Sequence, residues 1–273
     1  MTAPPLSARS RALAVGIGVG AGTLSGLFGV GGGFLIVPAL TGLLGMGQRR
    51  ANGTSLAAVI PISAAAAVGY AFDGYVDLFV VVLLVGGGVI GAEIGTRLLE
   101  RLPIRTIQFC FAALLVVAAL RLVFGPVDKD AMHLGLATDV GLFALGVLTG
   151  VLSGLLGVGG GFVMVPGMVL LASIPNALAK GTSLAAIIPT AAFATWRNVR
   201  NDNADVRLGL LVGCVGGACS LVSARVFVGI DPRLSNVLLG ILLTVLAATM
   251  IRRASKPEAP THAANVDAHI DYV

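Results

Sequence analysis

The sequence predicts an all-α polytopic membrane protein made of two repeated halves, and three observations carry that prediction. Hydrophobic residues form 56% of the chain and charged residues only 11%, with a mean hydropathy of +0.96. A soluble domain of 273 residues has no core large enough for that much apolar surface, whereas a bilayer accepts it on the outside of a helical bundle. The apolar residues fall in runs at about 12–45, 54–72, 77–99, 105–124, 136–172, 183–198, 206–229 and 234–251. Most of these approach the roughly 20 residues that a spanning helix needs. The third observation is a duplication. The block Ser25-Gly26-Leu27-Phe28-Gly29-Val30-Gly31-Gly32-Gly33-Phe34 returns as Ser153-Gly154-Leu155-Leu156-Gly157-Val158-Gly159-Gly160-Gly161-Phe162, an offset of 128 residues. The same offset carries Pro38 onto Pro166, and Gly53-Thr54-Ser55-Leu56 through Pro61 onto Gly181-Thr182-Ser183-Leu184 through Pro189.

Taken in chain order, residues 1–11 read as a short cytoplasmic segment. Ser7-Ala8-Arg9-Ser10-Arg11 leads straight into the first apolar run, as in a retained helix rather than a cleavable signal. The first repeat spans 12–124 and the second 136–253. Between them, 125–135 is short and polar, with Gly125, Pro126 and three charges, as a surface linker should be. From 254 to 273 the chain is rich in Ala, Pro, Asp and His without periodicity, which reads as a disordered tail.

The first and fifth runs are too long for one crossing, and both contain the Gly-Val-Gly-Gly-Gly break. Each divides into a helix that descends and a shorter one that returns or continues. Glycine weakens the helix at the break, and Pro38 or Pro166 removes a backbone donor beyond it. Broken backbone is not tolerated against lipid, so both breaks must be covered by protein or line a cavity.

Basic residues choose between these topologies. If each long run returns to its starting side, each half crosses an odd number of times and the halves are inverted. With the N-terminus inside, the cytoplasmic set is Arg9, Arg11, Arg49, Arg50, Arg97, Arg101, Arg105, Arg197, Arg200, Arg207, Arg252, Arg253 and Lys256, against Arg121, Lys129, Lys180, Arg225 and Arg233 outside, or 13 to 5. If each long run crosses once, the split falls to 10 to 8. The positive-inside rule favours the inverted repeat, with both termini cytoplasmic.

The same composition narrows function. Glycine, at 38 residues, suits tight helix packing in lipid. A net charge of +5 is scattered singly or in pairs between apolar runs, so nucleic acid is not an expected partner. Cys110, Cys214 and Cys219 lie in apolar segments without CxxC spacing and read as small hydrophobes. His133, His262 and His269 fall in the linker or tail, and no carboxylate pair has metal spacing, so neither a metal nor another cofactor is expected. Ser25 and Ser153 sit in Leu-Ser-Gly, a context found in intramembrane serine proteases, but no partner base accompanies them and an enzyme is not expected.

The candidate site residues come from the repeated blocks. Gly31, Gly32 and Gly33, with Gly159, Gly160 and Gly161, form unwound turns whose free N–H groups and adjoining helix N-termini would attract an anion. Close helix packing is the plainer account of the same glycines. No strand precedes them, so a nucleotide loop is excluded. Thr54, Ser55, Thr182 and Ser183 open the next apolar run; they are ordinary N-caps, hydroxyl donors to an oxyanion, or both. Asn52 precedes the first pair, where the second half has Lys180. Asp77 and Asp205 coincide under the offset as caps of the third helix. Arg97 and Arg225 coincide near its end, and Trp196 with Arg197 marks a lipid interface. Glu93 is the most interior carboxylate; a local pair with Arg97 accounts for it, and proton coupling is the functional alternative. Leu221 stands at its counterpart.

At the paired blocks Ser-Gly-Leu-x-Gly-Val-Gly-Gly-Gly-Phe…Pro and Gly-Thr-Ser-Leu-x-x-x-x-Pro the chain resembles the TauE/SafE sulfite-exporter family of membrane permeases, over roughly residues 12–251. The resemblance implies a plasma-membrane transporter of two repeated halves. Members are linked to sulfur-containing anions such as sulfite, sulfoacetate, taurine-derived products or thiosulfate. It also suggests a mechanism: two broken segments meet near the midplane, bind a small anion, and expose it to either side as the halves rock. No ATP-binding motif is present, so a gradient would drive it. Partners are then the anion and the bilayer, and a homo-oligomer is compatible with the sequence. An anion channel, or a structural subunit without transport, is the alternative.

Overall fold

The computed structural model describes residues 8–98, five residues between 113 and 120, 135–157, 159–227 and 232–254. The linker, the tail, Cys110, the three histidines, and Arg101, Arg105, Arg121 and Lys129 lie outside the described residues, as does most of the run at 105–124, where Ala113, Val116, Val117, Ala119 and Leu120 are helical. Every described element is a helix. The first half holds α1 (Ala8–Phe28), α2 (Gly33–Leu43), α3 (Gln48–Ala71) and α4 (Leu78–Leu98). The second holds α5 (Leu136–Leu156), α6 (Gly161–Ala172), α7 (Asn176–Arg200), α8 (Val206–Phe227) and α9 (Pro232–Ala254). Helices α5 to α8 begin at the residues that the 128-residue offset assigns to α1 to α4. Six helices, α1, α3, α4, α5, α7 and α8, are long and apolar enough to cross a membrane, while α2, α6 and the apolar part of α9 are shorter.

The broken segments turn back. A Cβ on Gly32 would stand 2.7 Å from the Ala21 carbonyl oxygen, and Leu35 reaches Gly20, so α2 folds back along α1. A Cβ on Gly160 would meet the Thr149 carbonyl oxygen at 2.9 Å, and Gly167 lies on Leu145, so α6 does the same on α5. Helix α2 buries Gly33, Ile36, Val37 and Leu40, the i, i+3, i+4, i+7 stripe of a helix with one face in the core. Pro38 and Pro166 lie inside α2 and α6 and do not end them, contrary to the expectation that they help break the segment.

Small residues decide which helices touch. Between helices in lipid there is no hydrophobic driving force, so association rests on close packing. A Cβ on Gly18, Gly22 and Gly26 of α1 would collide with Val212, Gly216 and Ser220 of α8; at Gly22 the gap is 2.0 Å to the Gly216 oxygen. Gly87, Gly91 and Gly95 of α4 meet Phe143, Val147 and Val151 of α5 in the same way. Numbers rise together in both pairs, so α1 runs parallel to α8 and α4 parallel to α5. The first helix of each half therefore packs on the fourth helix of the other, and the halves interleave.

Candidate functional site

Each glycine turn is built by left-handed backbone. Gly29, Gly31 and Gly32 have φ of 72°, 82° and 76°, and Gly157, Gly159 and Gly160 repeat this at 69°, 84° and 76°. An L side chain at these angles is strained by about 1–2 kcal/mol per residue, which is why this stretch is almost all glycine. The turns end in Gly32 and Gly160, the N-cap residues of α2 and α6, and no side chain caps either helix. Gly31, Gly32 and Gly33, and Gly159, Gly160 and Gly161, are all buried. Two helix starts without a side-chain cap thus lie inside the protein, with the positive end of each helix dipole at a glycine turn.

The turns are sandwiched between equivalent faces of α3 and α7. On α3, Asn52, Ser55 and Val59 share one face at i, i+3 and i+7; on α7 the same positions are Lys180, Ser183 and Ile187. Val59 lies 3.2 Å from a Cβ placed on Gly31 and 3.2 Å from one on Gly159. Ile187 lies 3.4 Å from the Gly31 position, 3.6 Å from that of Gly159 and 2.6 Å from that of Gly161, which also abuts the Val30 carbonyl. The two turns therefore converge on the Val59–Ile187 pair. Further along, Gly29 packs on the Lys180 backbone and Gly157 on that of Asn52.

Hydroxyls crowd this region. Ser55 Oγ donates to the Gly33 carbonyl at 3.4 Å. Ser25, Ser63, Ser153 and Ser183 are buried with their Oγ atoms unpartnered, and Ser63 Oγ lies 3.2 Å from a Cβ placed on Gly31. A buried hydroxyl without a partner costs about 1–3 kcal/mol, so these four are the groups in this region that a bound water or ligand would satisfy.

The structure revises several sequence expectations. Thr54, Ser55, Thr182 and Ser183 do not open or cap their helices: α3 starts at Gln48 with N-cap Gly47 and α7 at Asn176 with N-cap Pro175, and neither has a side-chain cap. The threonines instead clasp the other half. Thr54 Oγ1 accepts the Asp205 N–H at 2.9 Å, and Thr182 Oγ1 accepts that of Asp77 at 3.0 Å. Gly53 and Gly181 make room for the clasp, since a Cβ there would lie 2.1 Å from the Asn203 oxygen and 1.9 Å from the Tyr75 oxygen. Asn52 Oδ1 accepts from Gln48 Nε2 at 3.0 Å. Asp77 and Asp205 cap α4 and α8 as expected, Asp77 Oδ1 accepting from Phe79 and Val80 N–H and Asp205 Oδ1 from Leu208 N–H. Glu93 pairs with Arg197 of α7 at 2.6 Å, a partner the local Arg97 account did not anticipate. Arg197 is ten residues beyond Ile187, about 15 Å along the helix from the turns. Trp196 is half exposed with the Arg200 guanidinium 4.1 Å over its ring, as suits a lipid interface. Lys180 is no loop anchor: it is 3% exposed and donates from Nζ to Ser235 Oγ on α9 at 2.6 Å.

Two sets of residues escaped the sequence reading. Ser25 and Ser153 read in sequence as candidate nucleophiles, and their matched places before both turns are the signal that marks them. Ser63 has Ala191 at its counterpart, and only the packing brings it to the first turn.

Six candidate spans, paired re-entrant helices and a buried polar centre between them define a multi-pass helical membrane protein of the transporter class. The chain belongs to the sulfite exporter TauE/SafE family, whose sequence profile matches residues 2–122 and 142–269. It is 26% identical over 261 residues to a probable membrane transporter protein of Xylella fastidiosa (strain 9a5c), covering 91% of this chain and 98% of that one. It is also 31% identical over 119 residues to the probable membrane transporter protein YdhB of Bacillus subtilis (strain 168), covering 44% and 48%. A second Bacillus subtilis relative, the probable membrane transporter protein YjnA, is 34% identical over 113 residues, covering 41% and 44%.

Proposed function

We propose that this transporter carries small sulfur-containing anions, such as sulfite, sulfonates or thiosulfate, across the plasma membrane by alternating access between two inverted halves. One observation carries the anion: two buried, uncapped helix N-termini converge on the Val59–Ile187 pair beside unpartnered serine hydroxyls. Helix starts present partial positive charge and free N–H donors, and hydroxyls can donate to oxyanion oxygens. No carboxylate is needed for such a site. Gly31, Gly32, Gly33, Gly159, Gly160, Gly161, Ser55 and Ser183 are its proposed contacts, joined by Ser25, Ser63 and Ser153. Asn52, Thr54 and Thr182 position the faces that hold it.

Helix direction supports the inverted arrangement. The start of α3, at Gly53 and Thr54, meets Asn203 and Asp205 just beyond the end of α7. The start of α7, at Gly181 and Thr182, meets Tyr75 and Asp77 just beyond the end of α3. Equivalent helices thus run opposite ways, and with the basic-residue split this supports cytoplasmic termini. The two threonine clasps then lie at opposite membrane faces, where opening one and keeping the other would expose the centre to one side at a time. Proton coupling through Glu93 would require the Glu93–Arg197 pair to open during that cycle.

The test is uptake into proteoliposomes of labelled sulfite, thiosulfate, a sulfonate, sulfate and chloride. Saturable uptake of the sulfur anions is expected. No uptake of any of them above protein-free liposomes overturns the proposal, and unitary conductance steps would replace the carrier by a channel.

A further inference from the structure

The two faces that hold the glycine turns differ in charge. Asn52 occupies its place on α3 as a neutral amide, whereas the equivalent place on α7 holds Lys180. Lys180 is the one charged side chain among the described residues that is buried to this degree. Among those residues no carboxylate lies within ion-pair reach of it, and its ammonium donates only to the neutral Ser235 Oγ. Burying a charge without a counter-charge costs several kcal/mol, and ionisable groups kept inside a membrane protein mark the path of an ion. The location fits that reading. Lys180 Cα, Cβ and Cγ pack on Gly29 at the head of the first glycine turn, and Ser183, one turn along the same face, has an unpartnered hydroxyl. Asn176 and Asn236 are hydrogen-bonded to each other beside it, so this junction of α7 and α9 is polar throughout.

We propose that Lys180 is the charge-selecting residue of the anion site: its ammonium rests on Ser235 and turns to a small oxyanion entering along α7 towards the glycine turns. This rests on the transport reading above. The helix dipoles and hydroxyls hold the oxyanion by direction, and the lysine supplies the net charge that separates an anion from a neutral solute of the same shape. A flexible four-carbon stem anchored at Gly29 suits a group that moves between two partners. Because the other half has an amide there, the site would be charged from one side only.

The experiment uses the full chain in proteoliposomes and reads sulfite uptake, with competition by methanesulfonate and by its neutral analogue dimethyl sulfone. Lys180→Met is expected to raise the KM for sulfite at least about tenfold, as loss of a hydrogen bond to a charged group should. The preference for methanesulfonate over dimethyl sulfone should shrink with it, which a merely damaged protein would not show. Lys180→Asn, which copies the other half, should behave the same and guards against misfolding of the methionine variant. Lys180→Arg should stay within about threefold of wild type, since the charge remains. Ser235→Ala removes the resting contact but not the charge and should also stay within about threefold. If wild type takes up sulfite and Lys180→Asn matches its KM and its preference, the lysine proposal fails while the transport reading stands. If Ser235→Ala does as much harm as Lys180→Asn, the contact with α9 is the residue's role and the proposal fails. If wild type transports no anion, both fall together.

Discussion

The hydroxyl of Thr54 on α3 accepts the backbone N–H of Asp205, and that bond ties the first half of the chain to the second. Thr182 and Asp77 make the same bond in the opposite sense. Each aspartate caps the helix that follows it, so one threonine oxygen fixes both a loop and a helix start. Among the described residues only the Asp205 end has an ionic supplement, from Arg50 at 3.5 Å, because Leu178 stands at the equivalent of Arg50.

Thr54→Val keeps the side-chain volume and leaves the Asp205 N–H without its acceptor. It should cost about 1–3 kcal/mol of stability, read as a lower unfolding temperature in detergent. Thr54→Ser should recover most of it. Thr182→Val should cause the larger loss, because the Asp77 clasp has no ion pair beside it. Equal stability of wild type and both valine variants would remove the clasps from the account.

Gly32→Ala and Gly160→Ala put a side chain where φ is +76° and a carbonyl oxygen stands 2.7 or 2.9 Å from the new Cβ. Each should lose transport with the protein still inserted, and leucine at either place should be worse. Normal uptake by both alanine variants would show that the turns do not hold the substrate.

Topology is accessible to labelling. With the native cysteines replaced, single cysteines at Arg49 and at Pro175 should react with an impermeant maleimide from opposite sides of the membrane. Both residues are exposed and flank equivalent helix starts. Labelling from one side would contradict the inverted halves.

Much of this fold was legible in advance because membrane helices announce themselves by length and apolarity, and because a gapless repeat gives every element twice. The returning direction of α2 and α6 was favoured only by the count of basic residues, since a glycine break permits both a turn and a continuation; the contacts of Gly32 with Ala21 and Gly160 with Thr149 decide it. The glycine turns and Ser55 and Ser183 were readable as a candidate site from the doubled motif. The role of the threonines was hidden because α3 and α7 start six and seven residues earlier than their apolar runs, at polar segments that packing against the other half makes helical. Glu93 shows the limit of local spacing: a partner four residues away is visible in sequence, one on another helix is not.

Glu93→Gln separates the two roles left to that carboxylate. If it carries protons, uptake should lose its response to an imposed pH gradient while a basal rate persists. An unchanged response, with a lowered unfolding temperature, would assign the Glu93–Arg197 pair to packing between α4 and α7.

The central claim is that an anion binds at the two uncapped helix starts, and equilibrium binding of sulfite to purified Ser183 variants tests it most directly. Ser183 lies one turn before Ile187 on the same face of α7, and its hydroxyl is unpartnered. Ser183→Ala should weaken binding roughly 10- to 150-fold, the loss expected for one hydrogen bond to a charged group. Ser183→Asp sets a carboxylate against the anion and should abolish binding in a protein that still elutes as a folded species. Binding by the aspartate variant as tight as that of the alanine variant, or tighter, would contradict the claim.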